Sequence, residues 1–242
     1  MRWHHEEQMS VKLIYLAQRN PALRPEQFAQ AWREHSALGA GCSNVRELVL
    51  GVMQCSRVLD GAPIRGASTA HDGVNLLRLR DLASAAAIWN DPETLAIMRP
   101  DEPRVFARYV REVALVCREH ALRDAPREPV CLGACLVGFL RRARGDAAGC
   151  NRAWADANPA GWLGGGPFAA CVRVVDNEVI EPPPPAVDFD RVCEWWYADA
   201  ARAARAAFAG DDLRARLPRE LSTLIDSQRS VFVLTRVTHR RP

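Results

Sequence analysis

The sequence predicts an α+β protein in which two β-α-β-β-α-β units close their antiparallel sheets into one barrel within a single chain. Three observations predict it. Alternating apolar strand patterns and helical stripes follow one another in the same order in both halves of the 242 residues. Individual residues also match between the halves. His71-Asp72-Gly73-Val74 sets against Phe189-Asp190-Arg191-Val192 at an offset of 118, and residues 81–87 and 111–118 match 199–205 and 229–236 at the same offset. Nearer the start the offset becomes 122, which pairs Trp32 with Trp154. A repeat of about 110 residues follows. Finally, one such unit carries both helices on one face of its sheet, so the other face needs a cover that the second unit can supply.

The elements follow in order. Residues 11–19 alternate as a strand, with Leu13, Tyr15, Ala17 and Arg19 on one face. Asn20 and Pro21 turn the chain into a helix over 25–39. Pro25 suits its first turn, Glu26 and Gln27 its positive end, and Gly39 its stop. Phe28, Ala31, Trp32 and His35 fall on one stripe of that helix. A strand is expected between Val45 and Leu59, a loop over 60–69, and a turn at His71-Asp72-Gly73 into a strand over 74–79. Asp81 caps a helix through Trp89, a short helical piece spans 92–98, and the half closes on a strand over 110–118.

The second half reads as strand 133–141, helix 147–157, strand 168–175, strand 189–197, helix 199–209 and strand 229–238. The four prolines at 182–185 make a stiff loop, since proline cannot donate to a ladder. The boundary is expected between Glu119 and Glu128, around Pro126, giving units 1–122 and 123–242.

Composition narrows the function classes. At 48% hydrophobic and 25% charged the chain is of ordinary globular type. Its longest apolar run, 130–140, is too short to cross a bilayer, and the polar start at 1–8 does not read as a signal peptide. A cytoplasmic protein is expected, with no membrane partner. The net charge of +3 is spread among acidic residues, so no nucleic-acid partner is expected. Lys12 is the sole lysine, which argues against Schiff-base chemistry. The eight cysteines contain no C-x-x-C pair and most sit in apolar runs, as reduced buried thiols do. No P-loop, G-x-G-x-x-G or G-x-S-x-G pattern is present.

Arg19-Asn20-Pro21, Pro25-Glu26-Gln27-Phe28 and Trp32-Arg33-Glu34-His35, with the later His71-Asp72-Gly73-Val74, resemble the signature of the EthD family. That family belongs to the dimeric α/β-barrel (ferredoxin-like) superfamily, so the resemblance implies a tandem fusion that builds in one chain the barrel two subunits usually make. It also implies a pocket between sheet and helices, and proton-transfer chemistry on a hydrophobic oxygenated metabolite: dehydration, decarboxylation, cyclisation or isomerisation. The second half departs from the pattern, with Ala157 at the place of His35 and Arg191 at that of Gly73. Catalysis is therefore expected only in the first half.

His35 is the candidate general acid/base, since burial and a helix C-terminus pull its pKa in opposite directions around neutrality. Tyr15 and Asn75 are candidates to orient a substrate oxygen. Trp32, Phe28 and Arg78 are candidate substrate contacts, Arg78 on the opposite strand face from Asn75. Arg19 reads as a solvated charge and His71-Asp72 as a turn, not as a metal dyad. His4, His5, His120 and His239 receive no role. No cofactor and no metal are expected, although superfamily relatives bind haem through a histidine. The alternative is a non-catalytic ligand-binding or accessory protein in which His35 only bonds within the cavity. One chain suffices for the barrel, so a monomer is the minimal assembly, with a homodimer left open.

Overall fold

A computed structural model of the chain describes residues 10–123, 133–198, 201–209 and 211–241. The first half runs β1 (Val11–Ala17), α1 (Pro25–Gly41), α2 (Ser43–Leu48), β2 (Val49–Arg57) and β3 (Gly73–Leu79). It continues through α3 (Leu82–Ala87), α4 (Pro92–Ile97) and α5 (Glu102–Val105) to β4 (Ala114–Arg123). The second half runs β5 (Ala134–Leu140), α6 (Ala147–Asp156), α7 (Pro159–Trp162), β6 (Arg173–Val179) and β7 (Arg191–Tyr197). It ends with α8 (Ala201–Ala207), α9 (Arg219–Leu224) and β8 (Val231–Arg241).

The eight strands form one closed antiparallel barrel in the order β1-β3-β2-β8-β5-β7-β6-β4. Each half contributes four adjacent strands in the same internal order. The halves join where β2 pairs with β8 and β4 pairs with β6. Closure leaves no open sheet edge. No helix among the described residues is long and apolar enough to cross a membrane.

Alternation along each strand divides two environments. Ile14, Leu16, Val74, Leu76, Leu115 and Cys117 point into the barrel, where they meet Val137, Phe139, Trp196 and Val233 of the other half. Leu13, Tyr15, Val52 and Leu79 point outward and are covered by α1, whose Phe28, Ala31, Trp32 and His35 are buried. Burying a side chain of the size of Phe28 contributes roughly 2–3 kcal/mol. Pro25 opens α1, and the Gln27 side-chain oxygen accepts the Arg24 backbone N–H at 2.9 Å, so its first turn is satisfied. Asp81, Asp91 and Asp146 cap α3, α4 and α6 by accepting from the backbone N–H groups of Ser84, Thr94 and Gly149.

Lys12 lies inside the barrel, its Nζ 2.7 Å from Glu194 Oε1 and 2.6 Å from Glu119 Oε2. Burial pulls its pKa down, but the Glu194 and Glu119 carboxylates outweigh that and raise it. The lysine is therefore a cation tying β1 to β4 and β7, with no free amine for nucleophilic chemistry.

Several boundaries differ from the sequence expectation. Residues 45–48 belong to α2 rather than to a strand, since Val45 alone of that helix is buried. The strand expected over 168–175 begins at Arg173, because Pro167 sits in a 3-10 turn that cannot donate to a ladder. Helices α5, α7 and α9, each of four to six residues, had no sequence counterpart. The N-terminal residues 1–8 with His4 and His5, half of the expected boundary with Pro126, Cys131, and Asp199 at the expected start of a helix lie outside the described residues. The seven cysteines within them are all buried and unpaired.

Candidate active site

The outward face of β1, β3 and β2 carries a polar row. Tyr15 pairs across the sheet with Asn75, and Asn75 pairs with Gln54. Alternation puts all three under the helices of the first half. There they line a cavity of about 80 Å³ that opens to solvent. His35 and Ser36 of α1 enter it from above. Glu102 and Arg241 add ionisable groups, and Leu13, Val52, Leu77 and Met98 keep most of the wall apolar.

His35 is buried, with its Nδ1 2.9 Å from Asp101 Oδ2. Asp101 in turn holds Arg104, whose Nε donates to Oδ1 at 2.7 Å and whose guanidinium also reaches Glu34 at 3.1 Å. Bonding to Arg104 keeps the Asp101 carboxyl below its usual range despite partial burial. An ionised Asp101 accepts the proton of Nδ1, which leaves Nε2 as the basic atom of the ring. Burial lowers the His35 pKa, and the Asp101 bond opposes this without overcoming it. The imidazole is accordingly neutral at pH 7.

Tyr15 Oη accepts from Trp32 Nε1 at 3.2 Å, so its own hydroxyl proton remains available to the cavity. Burial raises the Tyr15 pKa and keeps the phenol neutral. Two acceptors in the row, Asn75 Oδ1 and Gln54 Oε1, are buried without a hydrogen-bond partner, although Gln54 Nε2 donates to the Trp32 carbonyl. Unpaired buried acceptors are costly and mark where a ligand's donors would fit. Glu102 Oε2 accepts the Val110 backbone N–H at 2.8 Å, and burial raises its pKa. Adjacent carboxyls of Asp101 and Glu102 are thus pushed in opposite directions, the pattern that separates acid from base roles.

The structure therefore brings His35, Tyr15 and Asn75 to one cavity. Phe28 and Trp32 lie behind it, in an aromatic cluster with Tyr15 and Phe106, rather than among its lining residues. Arg78 is exposed and does not line the cavity. Arg19 is not a solvated charge, because its guanidinium pairs with the buried Asp72 at 2.8 Å and its backbone N–H donates to the same carboxylate. His71 Nδ1 bonds Ser68 Oγ at 2.8 Å, so neither half of His71-Asp72 reaches the cavity.

Sequence reasoning missed Asp101, Glu102, Gln54 and Arg241. The alternation of Val52 and Gln54 was a signal for one of them. The carboxyls stand in a segment without periodicity, and Arg241 reaches this cavity only through barrel closure.

In the second half the corresponding row is Gly138, Cys193 and Asp176. Among the described residues its helix-facing side is occupied by Trp195, stacked on Phe168 at 4.2 Å and packed against Phe232. Gly138 has no room for a side chain, since a Cβ would stand 2.9 Å from the Trp195 ring. The polar cavity belongs to the first half.

No family model matches the chain, and no curated protein matches it in sequence. Among solved structures it is similar to a protein described as anthrone oxidase-like, at 12% identity and a TM-score of 0.61 over 98% of this chain and 94% of that one. It is also similar to a protein of Fusobacterium nucleatum subsp. nucleatum carrying a provisional monooxygenase description, at 7% identity and a TM-score of 0.56 over 97% and 95%. At such identities the likeness shows the fold alone, an α+β chain closed into an antiparallel barrel, and function rests on the site.

Proposed function

We propose that the chain is a small-molecule enzyme whose first-half cavity binds an apolar, oxygen-bearing compound and whose His35 removes a proton from it. The observation that carries this reading is the His35–Asp101 pair beside a cavity that also holds the Tyr15 hydroxyl. A carboxylate partner fixes the tautomer of a general base, whereas a passive core histidine bonded to backbone would favour the accessory-protein alternative. In this reading Nε2 accepts a proton from a carbon next to a carbonyl, and the electron pair moves onto the carbonyl oxygen. Tyr15 donates to that oxygen as its charge develops. Return of the proton at another carbon is isomerisation. Departure of a hydroxyl with a proton from Glu102 is dehydration, with water as the product.

The kinship with EthD proteins and the tandem duplication are part of the same proposal. The duplication is supported by a repeated detail, since Arg19 and Asp72 in the first half are matched by Arg142 and Asp190 in the second with the same backbone and guanidinium contacts, and the kinship rests on the resemblance of the Arg19–His35 stretch.

Aryl ketones with acidic α-protons test the chemistry, with anthrone included because of the structural neighbour's description. In deuterated buffer without oxygen, wild-type protein is expected to speed exchange of the α-proton in NMR spectra, and His35→Ala to leave it at the buffer rate. Equal rates for both across the series would remove the base assignment. Oxygen uptake in air then separates oxidation from isomerisation and dehydration.

A further inference from the structure

Arg241 stands near the end of β8, a second-half strand, and pairs with Val52 of β2. Barrel closure thereby delivers a cation from one half into the cavity of the other. Its Nε is buried and has no hydrogen-bond partner. Four other arginines share that feature, Arg57, Arg118, Arg141 and Arg191, yet each carries its guanidinium to a carboxylate: Asp72, Glu178, Asp188 and Asp176. Arg241 has no such partner among the described residues.

Its surroundings do not offset the charge. Burial lowers its pKa, and the one opposing influence is the Cys42 thiol, which burial itself keeps protonated. No carboxylate is among the groups that bear on it. Arg241 is half-buried, and a partly desolvated guanidinium without an anion is unfavourable, whereas a carboxylate meets its fork of donors with two parallel bonds.

We propose that Arg241 is the anion anchor of this cavity, so that the natural ligand is an apolar carboxylate. This rests on the reading of the cavity as a ligand site. The ligand's carboxylate would pair with Arg241, and hydroxyl or amide donors elsewhere on it would meet Asn75 Oδ1 and Gln54 Oε1. The second half then has a role in recognition through β8.

Benzoate and benzyl alcohol share a ring and differ in charge, so their dissociation constants test the assignment in an NMR titration of the full chain that follows the His35 ring signals. Wild type is expected to bind benzoate on the order of 10- to 100-fold more tightly than benzyl alcohol. Arg241→Gln should abolish that preference while leaving benzyl alcohol affinity unchanged, and Arg241→Lys should retain part of it. Equal affinity of the two probes in wild type would overturn the anchor while leaving the ligand site standing. A preference that survives Arg241→Gln would overturn it as well. Failure of both probes to bind or to move His35 would overturn the ligand site and the anchor together.

Discussion

His35 Nδ1 lies 2.9 Å from Asp101 Oδ2, and this contact decides which ring nitrogen is left to react. An ionised carboxylate accepts only, so Nδ1 carries the proton and Nε2 the lone pair. Asp101→Asn removes that constraint, because an amide can donate to Nδ1 and turn the imidazole over to the other tautomer. Proton exchange in the α-proton assay is expected to fall on the order of 100-fold or more, with ligand affinity unchanged. Nitrogen-15 shifts of the ring would show the exchanged tautomer. An unaltered rate with an unaltered tautomer would leave Asp101 a surface partner only.

The pH profile follows from the sign of the His35 shift. Burial lowers its pKa below the ordinary imidazole value, so the basic form persists to lower pH than in a free histidine and the acid limb of the rate is expected to lie on the low side of 6.5. Stability shares the sign. A histidine held neutral in the native state stabilises fully above its unfolded pKa of about 6.5, and that contribution is lost as pH falls through the native value. Asp101→Asn removes a raising influence, so the His35 midpoint should move lower still. Proton NMR of the imidazole measures both.

Glu102 carries the opposite shift. Its pKa is raised by burial, so its stabilising contribution is present below the unfolded value of 4.5 and is lost as pH rises through the native value. Glu102→Gln, which keeps an oxygen for the Val110 N–H, is expected to unfold at a higher temperature than wild type at pH 8. The difference should vanish near pH 4. If Glu102 also donates the proton in dehydration, the same variant loses that reaction and keeps α-proton exchange.

Much of this arrangement was legible in the sequence. The paired matches at offset 118 and the helical stripe of Phe28, Trp32 and His35 led to the barrel and to its first-half cavity, because periodicity reports which face is buried. Strand alternation placed Tyr15 and Asn75 beneath that stripe. Arg78 was separated from them by the same alternation, and its exposure leaves it outside the cavity. What stayed hidden depends on distant closure. Asp101 reaches His35 across 66 residues, through a short helical segment with no pattern of its own, and Arg241 arrives from the far end of the chain.

Asp72 gathers three donors: the Arg19 backbone N–H at 3.0 Å, the Arg19 guanidinium at 2.8 Å and Arg57 at 3.3 Å. Asp72→Ala strands them around a buried position and is expected to cost about 2–4 kcal/mol. Asp190→Ala should cost a similar amount, since Arg142 makes the matching backbone and guanidinium contacts there. Urea denaturation of both variants checks the equivalence. A large loss in one half with none in the other would break the structural correspondence between the halves.

Gly73 and Arg191 occupy matching positions and handle their tryptophans in opposite ways. At Gly73 the Trp32 ring lies against the bare backbone, and an added Cβ would stand 2.6 Å from the ring and 2.8 Å from the Cys55 carbonyl oxygen. At Arg191 the side chain is present, its guanidinium 4.6 Å from the Trp154 ring centre and paired with Asp176. The first half thus needs glycine for close approach, because Trp32 is held from behind by Phe28 and Phe106 and its Nε1 is committed to Tyr15. Gly73→Ala is expected to destabilise by about 1–3 kcal/mol through overpacking. It should also displace Trp32 and with it the Tyr15 hydroxyl, so ligand affinity falls along with stability. Thermal unfolding and the benzyl alcohol titration read the two effects separately. Gly138→Ala, remote from the cavity and equally crowded by Trp195 and Phe232, is expected to lower stability alone.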